Sequence, residues 1–171
     1  MLTYLITDPK FYQDFKTTLI NSIEKYNPNF ICFRDKTSTK NAKLAIEIAK
    51  YYKIPILINQ YVELVKLGFD GIHFTSNQLD LIQDYKECIT FASTHNKDEV
   101  LLAKYSDFIT FSPIFASKGR KGVGIKELND IVEISQSKVF GLGGITTQSE
   151  VEEIQKSKAV GFASIRYFLK D

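Results

Sequence analysis

Short apolar segments alternate with longer amphipathic segments along the whole chain. The apolar segments are rich in Ile, Val and Phe and show little strict alternation, which is typical of parallel strands covered on both faces. Between them, apolar residues recur at three- and four-residue spacing, which predicts helices. This alternation indicates a parallel sheet. The predicted strands are Thr3–Thr7, Phe30–Arg34, Pro55–Asn59, Gly71–Phe74, Cys88–Ser93, Phe108–Ser112, Val139–Gly143 and Val160–Ile165.

Eight strand–helix units favour a closed barrel, so the predicted fold class is α/β, a compact (β/α)8 TIM barrel. The segments Gly68–Phe74 and Tyr105–Phe111 resemble each other, as repeated units should. Such barrels usually have about 250 residues, whereas this chain has 171. Short helices and a truncated last helix at Tyr167–Asp171 are therefore expected. The alternative is an open doubly wound sheet, but Thr7–Pro9 lacks the glycine fingerprint expected after its first strand.

Composition and charge are those of an ordinary globular protein. Hydrophobic residues make up 44%, charged residues 25%, and the formal net charge is +2. These values predict one domain over residues 1–171 and no nucleic-acid partner. No apolar run approaches the roughly 20 residues that span a bilayer, and the N-terminus lacks a signal-peptide pattern. Cys32 and Cys88 lie in apolar segments and are expected to be buried and reduced, which predicts a cytoplasmic protein without a membrane partner.

Polar residues collect where the predicted strands end, which is the face of a barrel that carries active sites. A ring of cationic, amide and hydroxyl groups at this face predicts a pocket for an anionic small molecule. The residues that share this placement are Arg34, Lys36, Asn59, Ser93, His95, Ser117 and Arg166. His95 is the candidate proton shuttle, because imidazole titrates near neutral pH. The alternative is a polar loop residue that hydrogen-bonds to the backbone.

Other polar residues of the strands are expected to be structural. His73 lies within a predicted strand rather than beyond it, so we expect a histidine of the barrel interior. Asp70 and Asp107 lie where strands begin, at the face associated with stability.

Glycines follow the seventh predicted strand. Gly143 and Gly144 permit close approach of a ligand to the backbone, and barrels frequently bind phosphate between the loops after strands 7 and 8. Together with Ile165 and Arg166 they predict a phosphate site, the alternative being a tight turn into the next helix. The Ser112–Gly122 loop carries three cations and two glycines. It predicts a mobile cationic lid, the alternative being a solvated surface loop.

Seven short motifs, taken in order, resemble the thiamine phosphate synthase/TenI superfamily, and the similarity is greatest to the thiazole tautomerase (TenI) type. They are Ile6–Asp8, Ile31–Lys36, Ile56–Asn59, Asp70–His73, Ala92–His95, Ser112–Phe115 and Gly141–Ile145. The resemblance covers nearly the whole chain and implies a compact (β/α)8 barrel. It also implies one of two activities. The synthase joins a pyrimidine pyrophosphate to a thiazole phosphate with Mg²⁺, and the tautomerase aromatises a carboxythiazole phosphate without metal.

The chain departs from the synthase pattern at several positions. Cys32 replaces a glutamine, and Gln60 and Gln78 stand where the resemblance places two Mg²⁺-binding aspartates. The synthase phosphate loop reads Thr-x-Thr-Lys, against Ser117–Arg120 here. Mg²⁺ is commonly held by one or two carboxylates together with substrate phosphates. The missing carboxylates therefore predict weak or absent synthase activity.

The expected function is metal-independent tautomerisation in the thiazole branch of thiamine biosynthesis, with no cofactor and His95 as general acid and base. The resemblance implies that Arg34 and Lys36 hold the substrate carboxylate, Arg34 in a bidentate manner, and that Asn59, Ser93 and Ser117 orient the ring and phosphate. The alternatives are an Mg²⁺-dependent thiamine phosphate synthase and a non-catalytic regulatory protein that binds thiazole phosphate. The expected partner is a small-molecule thiazole phosphate, with a homodimer as a further possibility.

Overall fold

Eight parallel strands close into a barrel in the computed structural model, which describes residues 1–117 and 119–169. Each strand pairs with its chain neighbours, and the first pairs with the last. This arrangement confirms the predicted (β/α)8 barrel, and the predicted strand bounds differ from the observed ones by no more than one residue. The strands are β1 (Leu2–Ile6), β2 (Phe30–Phe33), β3 (Ile56–Asn59), β4 (Gly71–Phe74), β5 (Ile89–Thr94), β6 (Phe108–Phe111), β7 (Lys138–Leu142) and β8 (Gly161–Ser164).

Short helices make the barrel compact, as expected. The α-helices are α1 (Phe15–Tyr26), α2 (Ala42–Tyr51), α3 (Lys97–Leu102), α4 (Gly124–Ile134) and α5 (Gln148–Gln155). Three further connections are 3₁₀-helices, at Val62–Leu67, Ser76–Tyr85 and Tyr167–Leu169. Within the described part of the chain, none of the helices has the length and apolar character that a membrane crossing requires.

The described part of the last helix, Tyr167–Leu169, packs on α1. The Phe168 side chain is buried, and the Ser22 hydroxyl donates a hydrogen bond to its carbonyl oxygen at 2.8 Å. Lys170 and Asp171, the end of the predicted last helix, lie outside the described residues. The predicted homodimer stays a prediction.

Aromatic side chains fill the interior of the barrel. The Phe91 ring lies 4.3 Å from the Tyr4 ring and 4.6 Å from the Phe108 ring, measured between centroids. Cys32 is buried beside them, as predicted, whereas Cys88 is only half-buried, and both thiols are free. Aromatic pairs of this kind are worth roughly 0.5–1.5 kcal/mol each beyond their burial. This packing forms the floor on which the site rests.

The two aspartates at the strand starts are structural, as predicted. Asp70 Oδ2 accepts a hydrogen bond from the Ile56 amide at 2.9 Å. Asp107 Oδ2 accepts hydrogen bonds from the Thr90 amide and hydroxyl, both at 2.8 Å. Each carboxylate thus fixes the start of a neighbouring strand, far from the strand ends that carry the candidate site.

Candidate functional site

A cavity of about 810 Å³ lies at the carboxyl ends of the strands. Every site residue predicted from the sequence lines it, namely Arg34, Lys36, Asn59, Ser93, His95, Ser117, Gly143, Gly144, Ile165 and Arg166. Asp8, Lys10 and Phe11 also line the cavity, although they are not among the predicted site residues. Asp8 follows β1 and could have been found by the strand-end rule that identified the others. Phe11 lies further along its loop, and no sequence signal pointed to it.

Positive charge predominates in the cavity. Among its described lining residues, one carboxylate, that of Asp8, faces five cations, those of Lys10, Arg34, Lys36, Arg120 and Arg166. An excess of cations in a concave site attracts anionic ligands. The cavity therefore suits a phosphate or carboxylate rather than a free metal cation.

Arg34 is already partly committed to a protein partner. Its Nη1 donates to Asp8 Oδ2, and the two side chains are only 18% and 17% exposed. The family resemblance implies that Arg34 holds a ligand carboxylate through two of its nitrogens. Because Asp8 occupies Nη1, a bidentate grip would have to use the remaining edge of the guanidinium, formed by Nε and Nη2.

The loop after β2 presents Lys36 through a local turn. Asp35 Oδ1 accepts hydrogen bonds from the Thr37 amide and hydroxyl, both at 2.8 Å, and from the Ser38 amide at 3.0 Å. Burial opposes ionisation of Asp35, but these hydrogen bonds outweigh it and lower the pKa of the carboxyl. The ionised Asp35 thus holds the turn in which Lys36 lies.

His95 follows the last residue of β5 and precedes helix α3. Its Nδ1 lies 3.0 Å from Glu99 Oε2, which also accepts a hydrogen bond from the His95 amide at 2.7 Å. Asn96 caps the helix by accepting from the Glu99 amide at 2.9 Å. Nε2 of His95 has no hydrogen-bond partner among the described residues, and the side chain is 35% exposed. Glu99 therefore favours the proton on Nδ1 and leaves Nε2 available as a base.

The loops after β7 and β8 are tied together at the predicted phosphate site. The Ser164 hydroxyl donates to the Ile145 carbonyl at 2.7 Å and accepts from the Tyr167 amide at 3.2 Å. Gly143 and Gly144 have φ angles of +96° and +74°, a region that favours glycine. These contacts place both loops at one edge of the cavity.

The two backbone amides just before α5 are occupied by a side chain. Glu150 Oε2 accepts hydrogen bonds from the Thr146 amide at 2.9 Å and from the amide and hydroxyl of Thr147. A ligand phosphate at this edge therefore depends on the glycine segment and on Arg166 rather than on these two amides.

The base of the Ser112–Gly122 loop is attached to the β7 end. The Ile114 amide donates to the Leu142 carbonyl at 2.9 Å, and the Phe115 amide donates to the Gly143 carbonyl at 3.0 Å. Near the tip, Ser117 and Arg120 exchange two backbone hydrogen bonds of 3.0 Å. The loop thus brings Ser117 and Arg120 to the cavity, while Lys118 lies outside the described residues. Its predicted role as a mobile lid stays a prediction.

Of the two positions that the resemblance assigns to Mg²⁺, Gln60 lines the cavity but carries no charge, and Gln78 does not line it. Gln78 Oε1 accepts hydrogen bonds from the Thr75 amide at 3.1 Å and hydroxyl at 3.0 Å, and its Nε2 donates to the Gln60 carbonyl at 2.8 Å. The Gln78 amide therefore caps a 3₁₀-helix and does not line the cavity. Asn59 Nδ2 donates to the His73 carbonyl at 3.0 Å. Among the described residues, no three His, Cys, Asp or Glu side chains cluster as metal ligands.

His73 lies on the cavity floor, in the barrel interior as predicted. Burial, with a smaller contribution from the nearby Arg34 guanidinium, lowers its pKa to about 3. The imidazole is therefore neutral at physiological pH. Its ring lies against the Tyr4 ring, with centroids 5.6 Å apart and planes at 23°.

A family model described as thiamine monophosphate synthase matches residues 3–168. A protein of Aquifex aeolicus named putative thiamine-phosphate synthase 2 is 28% identical, over 98% of this chain and 97% of its own length. The thiamine-phosphate synthase of Lactococcus lactis is 29% identical, over 92% of this chain and 81% of its own. A thiamine phosphate pyrophosphorylase structure from Pyrococcus furiosus superposes with a TM-score of 0.84 at 20% identity, over 96% of this chain and 85% of that one.

Proposed function

Starting from the fact that the chain belongs to the thiamine monophosphate synthase family, a family of thiamine-biosynthesis enzymes, we propose that it aromatises a carboxythiazole phosphate by proton transfer without a metal ion. The observation that carries this proposal is the His95–Glu99 pair beside a cationic cavity. The pair supplies an acid–base group, and the cavity supplies charge for a phosphate and a carboxylate. Neither requires the carboxylates that Mg²⁺ would need.

The proposed reaction moves one proton and shifts one double bond. Nε2 of His95 removes a proton from a carbon of the non-aromatic ring, and the electron pair of that C–H bond enters the ring. The exocyclic double bond then takes up a proton from the imidazolium, so atoms and charge balance. Glu99 stabilises the imidazolium that forms between the two steps. Such acid–base groups typically contribute about 10²–10⁴-fold to the rate.

Binding groups surround this proton path. Arg166, Gly143 and Gly144 would hold the phosphate at one edge of the cavity. The unoccupied edge of the Arg34 guanidinium and the Lys36 ammonium would hold the carboxylate at another. A charged hydrogen bond to an arginine is stronger than a neutral one, so Arg34 is the main carboxylate anchor of the proposal.

The second candidate is the thiamine phosphate synthase reaction, a group transfer. The names of the relatives favour it over the tautomerase. Against it stand Gln60 and Gln78, since neither carries a charge and Gln78 is committed to a helix cap. In a synthase with this cavity, the five cationic side chains would have to neutralise the negative charge of the departing pyrophosphate in place of Mg²⁺. The excess of positive charge in the cavity makes this chemically reasonable.

One preparation assayed with both substrate sets separates the candidates. The carboxythiazole phosphate is supplied with a chelator, and ultraviolet absorbance follows aromatisation. The pyrimidine pyrophosphate and thiazole phosphate are supplied with Mg²⁺, and chromatography follows thiamine phosphate. We expect metal-independent aromatisation that falls about 10²–10⁴-fold in His95→Ala. Lys97→Ala, a change at the exposed first residue of the following helix α3, is the matched control and should retain the rate.

Two results would contradict the proposal. Thiamine phosphate formed with Mg²⁺ at an enzymatic rate, without aromatisation, would establish the synthase. Thermal stabilisation by thiazole phosphate with neither product formed would instead establish the non-catalytic binding protein.

A further inference from the structure

A buried hydrogen-bond chain runs from the barrel interior to the cavity. The Tyr4 hydroxyl lies 3.1 Å from Nδ1 of His73, and Nε2 of the same ring lies 3.0 Å from the Ser93 hydroxyl. Two weaker neighbours complete the surroundings of the ring. The Cys32 sulfur is 3.7 Å from Nδ1, and the Thr110 hydroxyl is 3.5 Å from Nε2. His73 and Ser93 both line the cavity, whereas Tyr4 is fully buried.

All the groups around the imidazole keep their protons. Burial raises the pKa of Tyr4 far above its ordinary value and raises the pKa of the Cys32 thiol to about 12. The neutral His73 ring carries one proton, on either Nδ1 or Nε2. The direction of each hydrogen bond around the ring therefore depends on which ring nitrogen carries this proton.

The surroundings favour the proton on Nε2. A phenol is a stronger hydrogen-bond donor than an aliphatic hydroxyl, so the Tyr4 hydroxyl donates to Nδ1 and Nε2–H donates to the Ser93 oxygen. If Nδ1 carried the proton instead, it would donate to the Tyr4 oxygen. The Tyr4 hydroxyl could then donate only to the Cys32 sulfur, which is a weak acceptor. With its oxygen accepting from Nε2–H, the Ser93 hydroxyl has its own hydrogen free. Among the described residues this hydroxyl has no other partner.

We propose that Tyr4, acting through His73, holds the Ser93 hydroxyl as a hydrogen-bond donor toward the cavity. The site then selects a ligand that presents an acceptor at this position, such as a carboxylate oxygen or an unprotonated ring nitrogen. Ser93 is the ligand-contacting residue, and Tyr4 and His73 are positioning residues. Only the identity of the ligand rests on the proposed function, because the hydrogen-bond chain exists without it.

Nitrogen NMR of histidine-labelled protein tests the chain directly. The sequence contains two histidines. The nitrogen signals that disappear in His95→Ala therefore belong to His95, and those that remain belong to His73. We expect His73 to show an acceptor-type Nδ1 and a protonated Nε2, and Tyr4→Phe to convert this into a mixture of tautomers. Tyr12→Phe is the matched control, because it removes a buried tyrosine hydroxyl that takes no part in the hydrogen-bond chain of His73. A protonated Nδ1 in the wild type, or an unchanged tautomer in Tyr4→Phe, overturns the proposal.

Binding of a carboxythiazole phosphate, measured by calorimetry, tests the consequence. Tyr4→Phe should weaken binding about two- to tenfold, the range of one net hydrogen bond. It should have no further effect in a Ser93→Ala background, because the two residues act through one contact. Additive losses would overturn the link between Tyr4 and Ser93. If the wild type does not bind this probe but shows the Nε2–H tautomer, the proposed function fails while the hydrogen-bond chain stands.

Discussion

Gly144 and Gly124 are a matched pair for testing the predicted phosphate site. Their φ angles, +74° and +82°, both lie in the left-handed region. A Cβ at Gly144 would lie 2.6 Å from the Phe115 Cβ and 2.7 Å from the Phe115 carbonyl carbon, whereas a Cβ at Gly124 would meet nothing within 4 Å. Alanine variants at the two positions therefore share the backbone strain and differ in crowding.

The expected magnitudes follow from these distances. The left-handed conformation costs an alanine about 1–2 kcal/mol at either position. Crowding adds about 1–3 kcal/mol at Gly144, because a hydrogen bond from the Phe115 amide to the Gly143 carbonyl holds the neighbouring backbone in place. We expect the free energy of unfolding to fall by about 2–5 kcal/mol in Gly144→Ala and about 1–2 kcal/mol in Gly124→Ala.

Urea unfolding followed by circular dichroism measures both variants, and calorimetry with a thiazole phosphate measures binding. Gly144→Ala should lose much more affinity than Gly124→Ala, because its loop would move away from the ligand phosphate. Equal destabilisation of the two variants would refute the crowding argument. Unchanged affinity in a folded Gly144→Ala protein would refute the location of the phosphate site.

Glu99→Gln should lower the aromatisation rate by no more than about fivefold if Glu99 acts only as an ion-pair partner, because partly exposed ion pairs are worth about 0.2–1 kcal/mol; a hundredfold loss would mean that Glu99 controls the tautomer of His95 or transfers a proton itself. Burial opposes ionisation of Glu150, but hydrogen bonds from Thr147 and Thr146 hold its pKa below the ordinary 4.5. The resulting stability is complete above pH 4.5 and is lost as the pH falls through the lowered pKa. Glu150→Gln should therefore flatten the acid side of a plot of melting temperature against pH, and an unaltered acid side would contradict this reasoning. Burial lowers the pKa of His73 from 6.5 to about 3, so protonation of the unfolded chain reduces stability as the pH falls through this interval. In His73→Gln the urea midpoint should lose that part of its pH dependence, and a slope equal to that of the wild type would count against a neutral His73.

The barrel and the cavity at the carboxyl ends of its strands could be predicted from the sequence pattern. Apolar strands separated by amphipathic segments predict parallel closure, and parallel closure brings residues after different strands to one end. Arg34, His95 and Gly144 could therefore be assigned to one cavity although they are far apart in the chain. The 3₁₀ character of Ser76–Tyr85 could not be predicted, because its side-chain spacing does not distinguish it from an α-helix.

What the sequence by itself determined is that residues directly after the strands reach the cavity, since strand ends and periodicity are local properties of the chain. Only the tertiary structure decided what each of them does there. Asp8 on Arg34, Gln78 on the Gln60 carbonyl and Tyr4 on His73 are contacts that depend on strand register and side-chain direction. Partners 26 and 69 residues apart meet because the closed barrel fixes their distance, and no local pattern encodes that distance.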